Sequence, residues 1–291
     1  MIKINNLNFS IGKYKILENV NLEIRDGVIM GLVGINGAGK STLLRLLSGV
    51  YLQDSGTIDY DGVPPTNENL RETIFFLPDD PYFTHQTTMA SMLKMYRSLY
   101  PVDMEKYNSL KTLFSLDEKK PLRTFSKGMR RQAYITLALS IRPKYLFLDE
   151  AFDGLDPLAR HKVKEELGVL ADEFGTTVII SSHALRELED FCDEYTVIDN
   201  KTINSSGSIA ERVESYCKFM LAFADGFNED MFKDLPLISM TASGKFVNAI
   251  FEGEHEEIEQ KLLALSPTVM EHMTVDFEEV FINEVSKGGK I

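Results

Sequence analysis

Gly34-Ile35-Asn36-Gly37-Ala38-Gly39-Lys40-Ser41 fits the pattern G-x-x-x-x-G-K-[ST] in full, and its flanks restrict the fold more than any other part of the chain. Upstream, Val28-Ile29-Met30-Gly31-Leu32-Val33 is an apolar run suited to a strand buried in a parallel sheet. Downstream, Thr42-Leu43-Leu44-Arg45-Leu46-Leu47 opens a helix. Strand, glycine-rich loop and helix in that order demand an α/β core. The glycines let the backbone curl so that successive N–H groups point at one place, and the helix N-terminus adds positive potential. Such a loop cradles phosphates, so Asn36, Gly37, Ala38, Gly39, Lys40, Ser41 and Thr42 are the candidate nucleotide contacts. Lys40 has the reach for the β- and γ-phosphates, and the Ser41 hydroxyl is a ligand for Mg²⁺.

A second apolar run, Tyr145-Leu146-Phe147-Leu148, ends in Asp149-Glu150. Two carboxylates at the end of a buried strand, in a chain that also carries a phosphate loop, read as a metal ligand and a base. Asp149 is the candidate for Mg²⁺, directly or through water. Glu150 is the candidate that orients or deprotonates an attacking water, a role typically worth about 10²–10⁴-fold.

Over roughly the first 210 residues, the order of motifs resembles the ATP-binding subunit of an ABC transporter. Gly34–Ser41 looks like its Walker A and Tyr145–Glu150 like its Walker B. Ser126-Lys127-Gly128-Met129-Arg130 looks like the signature, with Lys127 in place of the first glycine of the usual Ser-Gly-Gly. Asp153-Gly154-Leu155-Asp156-Pro157 looks like the D-loop, and His183, after Val178-Ile179-Ile180-Ser181-Ser182, like the switch histidine. The resemblance implies a P-loop fold with a RecA-like parallel sheet, an antiparallel β subdomain and a helical subdomain at about 80–140. It implies Glu150 and His183 as the catalytic pair, and ATP with Mg²⁺ at the phosphate loop. Ser126, Lys127, Gly128 and Met129 then address the ATP of a second copy, with Asp156 in the D-loop between. A helix beginning near Met129 would present the Ser126 hydroxyl and the Gly128 N–H as donors.

Two positions depart from the family. Leu77-Pro78 is followed by Asp79 where the family carries glutamine, so Asp79 is expected as a further oxygen ligand of Mg²⁺. Ile11 stands where an aromatic stacks on adenine, with Tyr14 or Phe9 as substitutes.

The rest of the chain sets bounds. Net charge is −13 over 291 residues, a poor match to a nucleic-acid binder, which presents a basic face. Cys192 and Cys217 have no metal-ligand spacing and read as buried thiols. Met1–Asn5 has no signal pattern, and no apolar run approaches the about 20 residues that span a bilayer. The expectation is a cytoplasmic protein that sits on the inner face of the membrane only through a partner.

Asn19–Ile24 alternates as a half-buried strand, and Gly56–Gly62 is a strand between turn glycines. From Met89 to about Leu116 the pattern is helical, with Met89, Met92, Leu93, Tyr96 and Leu99 on one stripe. The resemblance makes this the part that docks a transmembrane subunit, with Tyr82 and Phe83 at the groove. Asp193–Ile203 reads as a closing hairpin with Asn200-Lys201 near its turn. Residues 211–291 read as a small α+β appendix without a catalytic constellation. Its expected strands are Tyr216–Phe223, Leu235–Thr241 and Lys245–Phe251. Its expected helices are Glu254–Leu265 and Asp276–Val285, the last striped by Phe277, Val280, Phe281 and Val285.

The function expected is an ATP hydrolase that powers export through a separately encoded permease, by ATP-driven closure of a dimer. Ser-x-Gly-Met signatures with a small C-terminal appendix resemble exporters of antimicrobial peptides or phenol-soluble modulins, and also those of drugs, bacitracin or sodium. A soluble ABC-type ATPase acting on DNA or the ribosome is the alternative. The single cassette, the lack of a coiled-coil insertion and the acidic charge oppose it. A P-loop kinase or GTPase leaves the signature and the D-loop unexplained.

Overall fold

The structure, a computed structural model, describes residues 1–183, 185–224 and 226–281. Backbone contacts divide it into two compact units, Met1–Ser206 and Gly207–Ile291.

The first unit opens with β1 (Ile2–Ile11) and β2 (Tyr14–Ile24), then β3 (Ile29–Val33), α1 (Lys40–Leu47) and β4 (Ser55–Tyr60). β1 and β2 pair antiparallel with β4 in the order β2-β1-β4. In this register Ile2 and Ile4 stand opposite Ile24 and Leu22 on one side and Tyr60 and Ile58 on the other. Their apolar side chains share one core with Leu43, Leu44, Leu46 and Leu47 of α1. Met30 and Leu32 of β3 reach the same core, so α1 is packed between the two sheets.

Next come α2 (Glu68–Arg71), β5 (Ile74–Leu77), α3 (Met89–Tyr96), α4 (Met104–Leu113), α5 (Lys127–Ile141) and β6 (Tyr145–Leu148). α6 (Pro157–Phe174), β7 (Thr177–Ser182), α7 (Leu185–Glu189), β8 (Glu194–Asp199) and β9 (Thr202–Ser208) follow. The main sheet has the order β5-β6-β7-β3-β8-β9, with β5 through β8 parallel. β3, β6 and β7 are buried along their whole length, as strands covered on both faces must be. β8 and β9 are joined at Asn200-Lys201, both with positive φ, as a two-residue hairpin turn requires. The Lys201 carbonyl accepts from Glu18 N–H at 2.8 Å and ties this turn to β2.

The helical stretch from Met89 is broken in two. α3 stops at Tyr96, and Pro101 removes a backbone donor before Asp103 caps α4 through Lys106 N–H. Met89, Met92 and Leu93 are buried as the stripe requires, but Leu99 falls past the end of α3 and is exposed.

In the second unit, α8 (Ile209–Glu214) precedes β10 (Tyr216–Ala222), β11 (Leu237–Ser243), β12 (Phe246–Glu252), α9 (His255–Ala264) and β13 (Val269–Met273). The sheet is antiparallel in the order β11-β12-β10-β13. Phe219, Leu221 and Phe251 pack with Ile258 and Leu262 of α9, while Tyr216 and Ile250 pack with Val280. Residues 277–281 are helical; Val285 and Lys287–Lys290 lie outside the described residues. Cys192 and Cys217 are free and buried. Burial holds both thiols protonated, raising Cys217 to about 11. Among the described residues no helix is long and apolar enough to cross a membrane.

Candidate active site

β3 delivers the chain to Gly34 at the carboxyl end of the parallel sheet, where ligands of such sheets collect. The loop is gripped from both sides. A Cβ on Gly34 would lie 2.5 Å from the Ile198 carbonyl oxygen, and one on Gly39 would lie 2.8 Å from Leu17. Gly39 has φ 112 and caps α1 without any side-chain hydrogen bond, so the amides opening α1 have no competitor. Asn36 and Gly37 are exposed, whereas Ala38, Lys40 and Thr42 are buried. Lys40 Nζ donates to the Gly34 carbonyl at 2.7 Å and lies 3.6 Å from Glu150 Oε1.

Asp149 follows β6 and is buried. Its Oδ1 accepts from Ser41 Oγ at 3.0 Å and from Ser181 Oγ at 2.7 Å. Its Oδ2 is buried with no hydrogen-bond partner. A buried carboxylate oxygen left bare is costly, and here it lies on a residue already joined to the Ser41 hydroxyl. Two hard oxygen donors with one uncompensated lone-pair set fit a small divalent cation.

Glu150 sits at φ 47, a left-handed conformation rare for a glutamate. Its N–H donates to Ser181 Oγ at 2.9 Å, and its Oε2 lies 3.1 Å from His183 Nδ1. Glu150 thus meets Lys40 with one carboxylate oxygen and His183 with the other. Asp153 joins them: one atom each from Glu150, Asp153 and His183 lie within 4.8 Å of one another. Ser181 is the residue that sequence reasoning passed over. It lies in β7 and serves both acidic residues at the end of the neighbouring β6. The signal was a pair of serines, Ser181-Ser182, closing the apolar run Val178-Ile179-Ile180.

The signature segment starts a helix two residues earlier than expected, because α5 begins at Lys127 with Ser126 as its cap. Ser126 Oγ accepts from Met129 N–H at 3.1 Å, so one of its lone pairs is already engaged. Among the described residues no hydrogen bond or ion pair joins Ser126–Met129 to residues 34–42. Asp156 caps α6, its Oδ1 accepting from Ala159 N–H at 2.9 Å ahead of Pro157.

The comparisons with known proteins agree with this geometry. Residues 17–153 match the family model described as ABC transporter. The ABC transporter ATP-binding protein YtrB of Bacillus subtilis (strain 168) is 31% identical over 293 residues, covering 100% of this chain and 99% of the relative. The chain belongs to the ATP-binding subunits of ABC transporters. The lantibiotic transport ATP-binding protein SrtF of Streptococcus pyogenes is 35% identical over 195 residues, 66% of this chain and 84% of that one. A solved ATP-binding subunit of an ABC transporter matches with a TM-score of 0.67 and 26% identity, over 73% of this chain and 91% of that one. The fold is a P-loop ABC ATPase, and its activity is ATP hydrolysis.

The two departures from that family take different forms in the structure. Among the described residues Asp79 makes no hydrogen bond to Ser41 or Asp149. Asp79 Oδ1 instead accepts from Arg131 Nη2 at 2.7 Å, and the buried guanidinium also donates to the Pro78 carbonyl at 3.2 Å. A buried cation must be paired, and Asp79 serves as its counter-ion through Oδ1. Phe9 is excluded as an adenine platform because it is buried and stacked on Tyr51 at 5.4 Å. Tyr14 pairs with Ile11 at the tip of the β1–β2 hairpin and is 79% exposed.

Proposed function

We propose that this ABC ATPase powers export of amphipathic or antimicrobial peptides through a separately encoded transmembrane permease, as a dimer of two copies closed by ATP. Residues 1–210 are then the ATPase domain and 211–291 an accessory α+β domain. The protein works at the inner face of the membrane through its permease, with Tyr82 and Phe83 beside the docking groove. The printed name of the lantibiotic-transport relative supports a peptide cargo.

The observation that carries the catalytic reading is Glu150, held between Lys40 and His183 with its backbone fixed by Ser181. Asn36 to Thr42 bind the phosphates of ATP, and Lys40 exchanges the Gly34 carbonyl for them. Ser41 and Asp149 hold Mg²⁺, which when bound offsets phosphate charge. Glu150 orients the attacking water and accepts its proton, while His183 steadies the carboxylate through Oε2. Ser126 and Gly128 make no link to their own phosphate loop, which supports their service to the nucleotide of the second copy. Ser126 retains its hydroxyl proton for that purpose.

Glu150→Gln keeps the shape and removes the base. It binds ATP normally by titration and loses about 10²-fold or more in turnover. Wild-type hydrolysis in that variant contradicts the assignment.

A further inference from the structure

Lys127 occupies the signature position where the family has glycine, and its side chain is engaged. Its Nζ donates to Asp153 Oδ2 at 3.3 Å. Asp153 in turn belongs to the turn that follows Glu150. Its N–H donates to the Glu150 carbonyl at 3.1 Å, and its carboxylate lies within the 4.8 Å group formed with Glu150 and His183. The two loops also pack closely. A Cβ on Gly128 would lie 2.5 Å from the Gly154 carbonyl oxygen, and a Cβ on Gly154 would touch the Lys127 stem at 3.5 Å. One helical turn further on, Arg131 grips Asp79 and Pro78. Lys127 and Arg131 are four residues apart and share a helix face. The start of α5 is therefore pinned to the loop after β5 and to the turn after β6.

The Lys127 and Asp153 side chains are 65% and 40% exposed. An ion pair so open to water adds little to stability. What distinguishes it is its position, between the signature segment and the hydrolytic carboxylate of the same chain. We propose that Lys127 and Asp153 are a positioning pair. They carry a displacement of Ser126–Gly128 into the placement of Glu150 and His183. Each copy's carboxylate is then set when its own signature segment is engaged on the other copy's nucleotide. The proposal rests on the two-copy site described above.

A double-mutant cycle in the full-length protein tests it, with Lys127→Gln, Asp153→Asn and both together. Each single change is expected to lower kcat about fivefold with KM within about twofold, since small misplacements of a catalytic group act on the chemical step. The Hill coefficient for ATP falls towards one in both. The double variant is no slower than the slower single, and thermal midpoints stay within about 2 °C of wild type. Losses that multiply to about 25-fold in the double variant, or singles with wild-type kcat and Hill coefficient, overturn the proposal. A parallel sizing run on Glu150→Gln with ATP separates the two readings. A monomer there removes the two-copy site and the coupling with it, whereas a dimer with multiplying losses removes the pair alone.

Discussion

Ser181 shows how much of this site rests on one hydroxyl. It donates to Asp149 and accepts from the Glu150 N–H, so it fixes the spacing of a metal ligand and a base that are adjacent in sequence. Ser181→Ala keeps the volume and strips both bonds inside a buried site. It is expected to cost about 1–3 kcal/mol in urea unfolding and about tenfold in kcat, with ATP affinity retained. Unchanged kcat shows that Ser181 does not position the two acids. The patterns around Lys40, Ser41, Asp149, Glu150 and His183, residues that the structure brings together, were legible in the sequence because each is local. Ser181 was less so, because its importance comes from the register of β7 beside β6. The pairing of Asp79 with Arg131 was hidden for the same reason: the two are 52 residues apart along the chain.

At the scale of elements, the parallel strands could be read from their apolar runs, and the β8–β9 hairpin from Asn200-Lys201. The helical stretch expected from Met89 to about Leu116 is two helices, with α3 ending at Tyr96 and Pro101 in the connection before α4. β13 was missed because Val-Met-Glu-His-Met at Val269–Met273 is largely exposed, and only its pairing with β10 makes it a strand. The end of α4 is tied down by Glu118, which accepts from Lys111 at 3.1 Å and from the Tyr107 hydroxyl at 2.9 Å. Lys111 first, and then Tyr107, hold the Glu118 carboxyl below its usual 4.5. A depressed carboxylate stabilises the fold above its unfolded pKa and loses that contribution as pH falls through its folded value. Glu118→Gln is therefore less stable than wild type at pH 7, and the gap narrows as pH drops below about 4. Urea midpoints over that range check it; a gap that widens in acid contradicts the pairing.

At the scale of the whole molecule, the central claim is a site divided between two copies. Each chain carries a phosphate loop with Asp149 and Glu150 and, separately, a capped signature helix; among the described residues no hydrogen bond or ion pair joins Ser126–Met129 to residues 34–42. Two chains of net charge −13 repel one another, so the proposed closure has to overcome that repulsion. The second unit has its own core around Phe219 and Phe251. The most direct measurement is the solution mass of Glu150→Gln with and without ATP and Mg²⁺, alone and combined with Ser126→Arg. The expected result is a dimer only with ATP for Glu150→Gln, and a monomer that still binds ATP once Ser126→Arg is added. An ATP-dependent dimer that forms unchanged in the combined variant contradicts the divided site.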